Sequence, residues 1–153
     1  MIAPGIVTLT EGLREAGLHI TIETAGTVFT PVVCDLMSIS PKLANSIPLE
    51  RDGGRWAARH DRLRYQPAVL RGLMEAYRYQ LKFVVAKPGD VEEIRQIVED
   101  LAADRSHIVL MPEGIDPATL RDRGCWLVEI CKREGWRYSP RLHVDLWGNR
   151  RGV

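Results

Sequence analysis

Residues 81–111, LKFVVAKPGDVEEIRQIVEDLAADRSHIVLM, decide the fold class. Leu81-Lys82-Phe83-Val84-Val85 is a short run rich in β-branched and aromatic side chains, which reads as a strand. Asp90, with Glu93 three residues later, has the form of a capping box, and Val91, Ile94, Val98 and Leu101 form a stripe at helical spacing. Ile108-Val109-Leu110-Met111 is again a strand. Strand, helix and strand in succession predict a right-handed crossover between parallel neighbours.

The same alternation extends in both directions. Towards the N-terminus, Pro67 suits a first helical turn, with Leu70, Leu73, Met74 and Tyr77 on one face. Strands are expected at Leu18 to Glu23 and at Asp35 to Ile39, and a helix at Ile6, Leu9, Leu13 and Ala16 stopped by Gly17. No strand precedes that helix, which follows Pro4-Gly5 directly. Residues 41–66 are polar and broken by Pro41, Pro48 and Gly53-Gly54, so they read as a long irregular connection. Towards the C-terminus, Asp116-Pro117 opens a helix with Leu120, Leu127, Val128 and Cys131 facing inward and Gly135 as its stop. A last strand is expected within Arg141 to Trp147. The whole reads as an α/β single domain over 1–153 with a mostly parallel sheet.

Composition limits the function classes. The chain has 153 residues, 45% hydrophobic and 27% charged, close to a soluble globular domain. No apolar run approaches the 18 or so residues of a membrane span, so no membrane partner is expected. Twenty-one basic against twenty acidic side chains leave a net charge of +1, which argues against nucleic acid as a partner. Three cysteines and no secretory leader point to the reducing cytoplasm. They do not make a metal site: Cys125 and Cys131 project about 120° apart on their helix, and Cys34 stands alone.

In parallel sheets the site lies beyond the carboxyl ends of the strands. Those ends carry Glu23-Thr24-Ala25-Gly26-Thr27, Ser38-Ile39-Ser40-Pro41-Lys42, Lys87, Pro112-Glu113-Gly114, and His143 with Trp147-Gly148-Asn149. Together these groups suit a polar ligand with carboxylate, amino and ring-edge groups. Bland roles stand beside that reading: Glu23 and Glu113 as helix caps or ion-pair partners, Gly26 as a turn glycine, Lys42 as a solvated lysine and His143 as a core histidine. Arg55, Arg59, Arg62 and Arg64 read as solvated surface, as do Arg150 and Arg151.

In chain order, Ile22-Glu23-Thr24-Ala25-Gly26-Thr27, Ile39-Ser40-Pro41-Lys42, Leu81 to Val85, Leu110-Met111-Pro112-Glu113-Gly114, Leu142-His143 and Trp147 to Val153 resemble 7-carboxy-7-deazaguanine synthase, a radical S-adenosylmethionine enzyme of the queuosine (7-deazapurine) pathway. The Ser-Pro-Lys and His…Trp-Gly-Asn…Arg-Gly-Val pieces are specific; the Glu-Thr-x-Gly-Thr piece is shared more loosely across radical enzymes. The resemblance implies a partial (β/α) barrel using a 4Fe-4S cluster, S-adenosylmethionine and Mg²⁺, a carbon–nitrogen lyase acting on 6-carboxy-5,6,7,8-tetrahydropterin, and a homodimer. By position, Thr24, His143 and the Val153 carboxylate fall to the pterin substrate. Gly26, Ser40, Pro41, Lys42, Met111, Pro112, Glu113 and Gly114 fall to S-adenosylmethionine.

The chain departs from the family pattern in lacking the cluster-binding cysteine triplet, the first substrate-binding strand and a Gly-Gly-Glu-Pro motif. Met1 falls where an internal methionine would follow that motif. A truncated, split or mis-started version of a longer protein is therefore expected, inactive without its missing segment or a partner chain. Two other readings stay open: a non-catalytic half-barrel binding a pterin or nucleoside ligand, and an unrelated nucleotide-binding α/β domain.

Overall fold

The computed structural model describes residues 4–150 and 152. In chain order the elements are α1 (Ile6–Glu15), β1 (Thr21–Thr24), β2 (Leu36–Ile39), α2 (Ala57–Arg64), α3 (Pro67–Ala76), β3 (Tyr79–Val85), α4 (Asp90–Asp100), β4 (Ile108–Pro112), α5 (Pro117–Glu134), β5 (Arg137–Tyr138) and α6 (Leu142–Trp147), with three short 3-10 turns. The sheet is open and all-parallel, ordered β1-β2-β3-β4-β5, the α/β architecture expected of a partial barrel. Among the described residues no helix is long and apolar enough to cross a membrane. The chain divides into two compact units: residues up to 42 with 46–81, and residues 43–45 with 82 onward.

In the first unit, Thr21 to Thr24 pair in register with Leu36 to Ile39, and Met37 to Ile39 pair with Tyr79 to Leu81. Asp35 ties the entry of β1 to β2: its Oδ2 accepts the Ile20 N–H at 2.7 Å and its Oδ1 lies 2.9 Å from the Arg14 guanidinium. Met37, Ile39, Leu70, Leu73 and Leu81 form the core. Pro67 opens α3 as its spacing predicts, and Tyr77, just past the helix, accepts the Val32 N–H on its hydroxyl at 2.9 Å. α1 forms and stops at Gly17 (φ 74°), yet its buried residue is Thr10, whose hydroxyl donates to the Val7 carbonyl.

Residues 41–66 correct the sequence reading. They hold two 3-10 turns and the helix α2, not one irregular connection. The segment 57–64, AARHDRLR, contains good helix formers, but Leu63 is its single large apolar residue, so there was no periodicity to read.

The second unit is built on residues 82–85 of β3, with β4 and the two-residue β5, which pairs Val109 with Arg137 and Leu110 with Tyr138. Phe83, Val85, Ile94, Ile108, Leu110, Leu127 and Val144 fill its core. α5 begins and ends as expected: Asp116 accepts the Thr119 N–H at 2.9 Å, and Gly135 takes the left-handed conformation (φ 70°).

Two expectations fail here. Asp90 and Glu93 do not form a capping box. Gly89 is the cap residue, and Asp90 is the first helical residue, buried, its Oδ2 accepting from Ala86 N (2.8 Å), Lys87 N (3.1 Å) and Asn45 Nδ2 (2.7 Å). Glu93 instead accepts the Ala44 N–H, at 2.9 Å to its nearer oxygen. The last strand is Arg137–Tyr138, and the segment expected to be a strand is the helix α6. Leu142, Val144 and Leu146 alternate as strand residues do, but on α6 they divide into a buried Val144 and an exposed Leu142 and Leu146.

Candidate functional site

In the first unit, the residues expected at the carboxyl ends of β1 and β2 do meet. Thr24 closes β1, and its Oγ1 accepts the Gly26 N–H at 3.1 Å. Its carbonyl accepts the Ser40 N–H at 2.7 Å, carrying the ladder one residue past the strand ends. Gly26 is buried at φ 70°, and a Cβ there would lie 2.3 Å from Leu70 Cδ2 and 3.0 Å from Ile39 Cγ2. Only glycine lets this turn lie down on the α3 core. Pro41 is buried and Lys42 half-buried. The Lys42 carbonyl accepts a 3.0 Å hydrogen bond from Arg64 Nη1.

Lys42 also opens onto a cleft that sequence reading missed. Ala25, Thr27 and Lys42 form one side and Trp56, Arg59, His60, Leu63 and Arg64 the other, enclosing about 390 Å³. The second wall is α2 with the residue before it. Arg59 is exposed, in keeping with the solvated-surface reading, whereas Arg64 leaves that reading by bonding the Lys42 carbonyl and Asp61.

In the second unit, the Met111-to-Gly114 turn is held from three sides. Glu113 N–H donates to the Val85 carbonyl at 2.8 Å, continuing the β3–β4 ladder. The Glu113 carboxylate and carbonyl both accept from Arg123 Nη1. Arg141 Nη1 donates to the Gly114 carbonyl at 2.9 Å. Pro112 and Gly114 are buried, Met111 and Glu113 half-buried, and a Cβ on Gly114 would meet Leu120 Cδ2 at 2.9 Å. Arg123 and Arg141, absent from the sequence expectation, are what fix this turn. His143 lies exposed on α6, and Val153 lies outside the described residues.

The chain as a whole is similar in sequence to curated proteins. Over 94% of its length the chain is 41% identical to the 7-carboxy-7-deazaguanine synthase of Halobacterium salinarum. Over its whole length it is 40% identical to the synthase of that name from Rhodopirellula baltica. The chain is a homologue of the 7-carboxy-7-deazaguanine synthases. It spans 60% of the length of each of these two relatives. A third, from Pyrobaculum aerophilum, is 37% identical over 46% of this chain and 32% of its own length. No family model matches.

For a 7-carboxy-7-deazaguanine synthase homologue the cysteines need a direct test against an iron–sulfur cluster, because thiolate is the ligand form. Burial pushes the Cys131 thiol up to about 11. Desolvation, reinforced by the neighbouring Asp35 carboxylate, raises that of Cys34. Cys125 is exposed on α5. Among the described residues no three His, Cys, Asp or Glu side chains are grouped to hold a metal ion. The described residues therefore do not fit a 4Fe-4S cluster.

Proposed function

We propose that this chain is the ligand-binding portion of a 7-carboxy-7-deazaguanine synthase of the radical S-adenosylmethionine type, a single domain of the partial barrel. The observation that carries the reading is 40% identity over the whole chain to a synthase of that name, with residues 24–27, 40–42 and 111–114 of the resembling motifs at the ends of β1, β2 and β4. Such an enzyme uses S-adenosylmethionine with a 4Fe-4S cluster and Mg²⁺ to contract the ring of 6-carboxy-5,6,7,8-tetrahydropterin, with loss of ammonia. Because the cysteines here do not fit a cluster, the share of this chain's residues is recognition and positioning, in the cytoplasm and in a dimer.

In this reading Gly26, Ser40, Pro41 and Lys42 bind S-adenosylmethionine. Gly26 contributes its backbone at the end of β1, Ser40 presents a hydroxyl, and the Lys42 ammonium sets a positive charge against the methionine carboxylate. Among the described residues that ammonium has no hydrogen-bond or ion-pair partner, which suits a charge reserved for a ligand. The reading gives the Met111-to-Gly114 turn to the same cofactor, and Thr24, His143 and the Val153 carboxylate to the pterin.

Replacing Lys42 tests the assignment. A charged hydrogen bond contributes about 1.5–3 kcal/mol, so Lys42→Ala is expected to weaken S-adenosylmethionine binding by roughly tenfold or more in calorimetry. Equal affinity in the variant would remove Lys42 from the site.

A further inference from the structure

The cleft between α2 and the β1 and β2 ends has the chemistry of a recognition site. Two of its cations, Lys42 and Arg59, are not neutralised from within the described residues. No acidic side chain lines it, and among the described residues the Lys42 and Arg59 side chains have no ion pair or hydrogen bond. Elsewhere Arg14 is paired with Asp35, Arg95 with Glu92 and Glu134, and Arg123 with Glu113. Within the cleft Arg64 is matched too, by Asp61 and the Lys42 carbonyl.

Between the cations the surface is apolar. Ala25, Leu63 and Trp56 line it, and Trp56 and Leu63 keep 42% and 43% of their surface exposed. The Arg55 guanidinium, 5.2 Å from the Trp56 ring centre, stacks on the indole and steadies it. His60 supplies the last element. Its imidazole lines the cleft beside Arg59. A volume of about 390 Å³ falls in the range that holds a small ligand.

We propose that α2 is a ligand-recognition wall, on which Trp56, Arg59 and His60 hold a flat heteroaromatic ligand bearing a carboxylate. The ring packs against Trp56 and Leu63, the carboxylate lies with Arg59 and Lys42, and the His60 imidazole borders the ring. This rests on the reading above, because the two ligands of that reading, S-adenosylmethionine and the carboxypterin, both combine a heteroaromatic ring with a carboxylate.

The test is calorimetric titration of the 153-residue chain and its Arg59→Gln, Trp56→Leu and His60→Phe variants with S-adenosylmethionine and, separately, with 6-carboxypterin. Arg59 and Trp56 are exposed, so their variants are expected to melt within a few degrees of the parent. For whichever ligand the wall serves, Arg59→Gln and Trp56→Leu should each weaken binding about tenfold or more. The ligand that weakens identifies the source of the ring and carboxylate. Parent binding of either ligand with variant affinities within twofold would overturn the role of α2 and leave the synthase reading standing. Failure of the parent chain to bind either ligand would overturn both.

Discussion

Gly26 shows how one position is fixed from two directions. Its φ of 70° favours glycine, and the space a Cβ needs is occupied by Leu70. Gly26→Ala is therefore expected to cost roughly 2–4 kcal/mol in urea unfolding, combining backbone strain and overpacking. Gly72, inside α3 and with Phe29 no nearer than 3.6 Å to a new Cβ, predicts the opposite sign: Gly72→Ala should stabilise by about 0.5–1 kcal/mol. If both variants destabilise alike, the packing account of Gly26 is wrong. The sequence marked Gly26 as a turn glycine, but the need for it comes from Leu70 on another element, a contact no local pattern reports. Cys131 carries a pH dependence. Its folded pKa is raised from 9.0 to about 11, so the native state holds the proton longer than the unfolded chain. The stability tied to that thiol is complete below pH 9 and is lost as pH rises towards 11. At pH 8 a thiol reagent should modify exposed Cys125 rapidly and Cys131 only on unfolding; equal rates would contradict its burial.

At the scale of elements, what was legible followed hydrophobic period. β3, α4 and β4 were readable because their apolar residues repeat strongly, and α5 because Asp116-Pro117 and Gly135 mark its ends. α2 escaped because a helix with one large apolar residue has no stripe, and with it went the far wall of the cleft. α6 was misread because alternation over six residues fits either period, and β5 is too short to show any. The site was legible to the same degree: the strand-end motifs were named, while Arg123 and Arg141, which hold the Met111-to-Gly114 turn from distant positions, were not. The β3–α4 junction depends on Asp90 in a comparable way. Asp90→Ala would leave the Ala86 and Lys87 N–H groups without their acceptor and the Asn45 amide with only the Val84 carbonyl, so a loss of roughly 2–4 kcal/mol is expected in denaturant titration. A loss below about 1 kcal/mol would show that water or a neighbouring group replaces the carboxylate.

For the molecule as a whole, homology and cysteine chemistry point to a division of labour. The chain matches 7-carboxy-7-deazaguanine synthases along its length and spans 60% of theirs, while its thiols do not fit a cluster. Anaerobic treatment of this chain with iron and sulfide should accordingly give no stoichiometric 4Fe-4S absorbance. In the proposed function its strand ends recognise S-adenosylmethionine. Thermal unfolding with and without S-adenosylmethionine tests this most directly. Ligand at a hundred times its dissociation constant stabilises by about 2.7 kcal/mol, which in a chain near 150 residues raises the melting temperature by several degrees. That shift is expected with S-adenosylmethionine and is expected to shrink in Lys42→Ala. An unchanged melting temperature at millimolar S-adenosylmethionine would contradict that recognition.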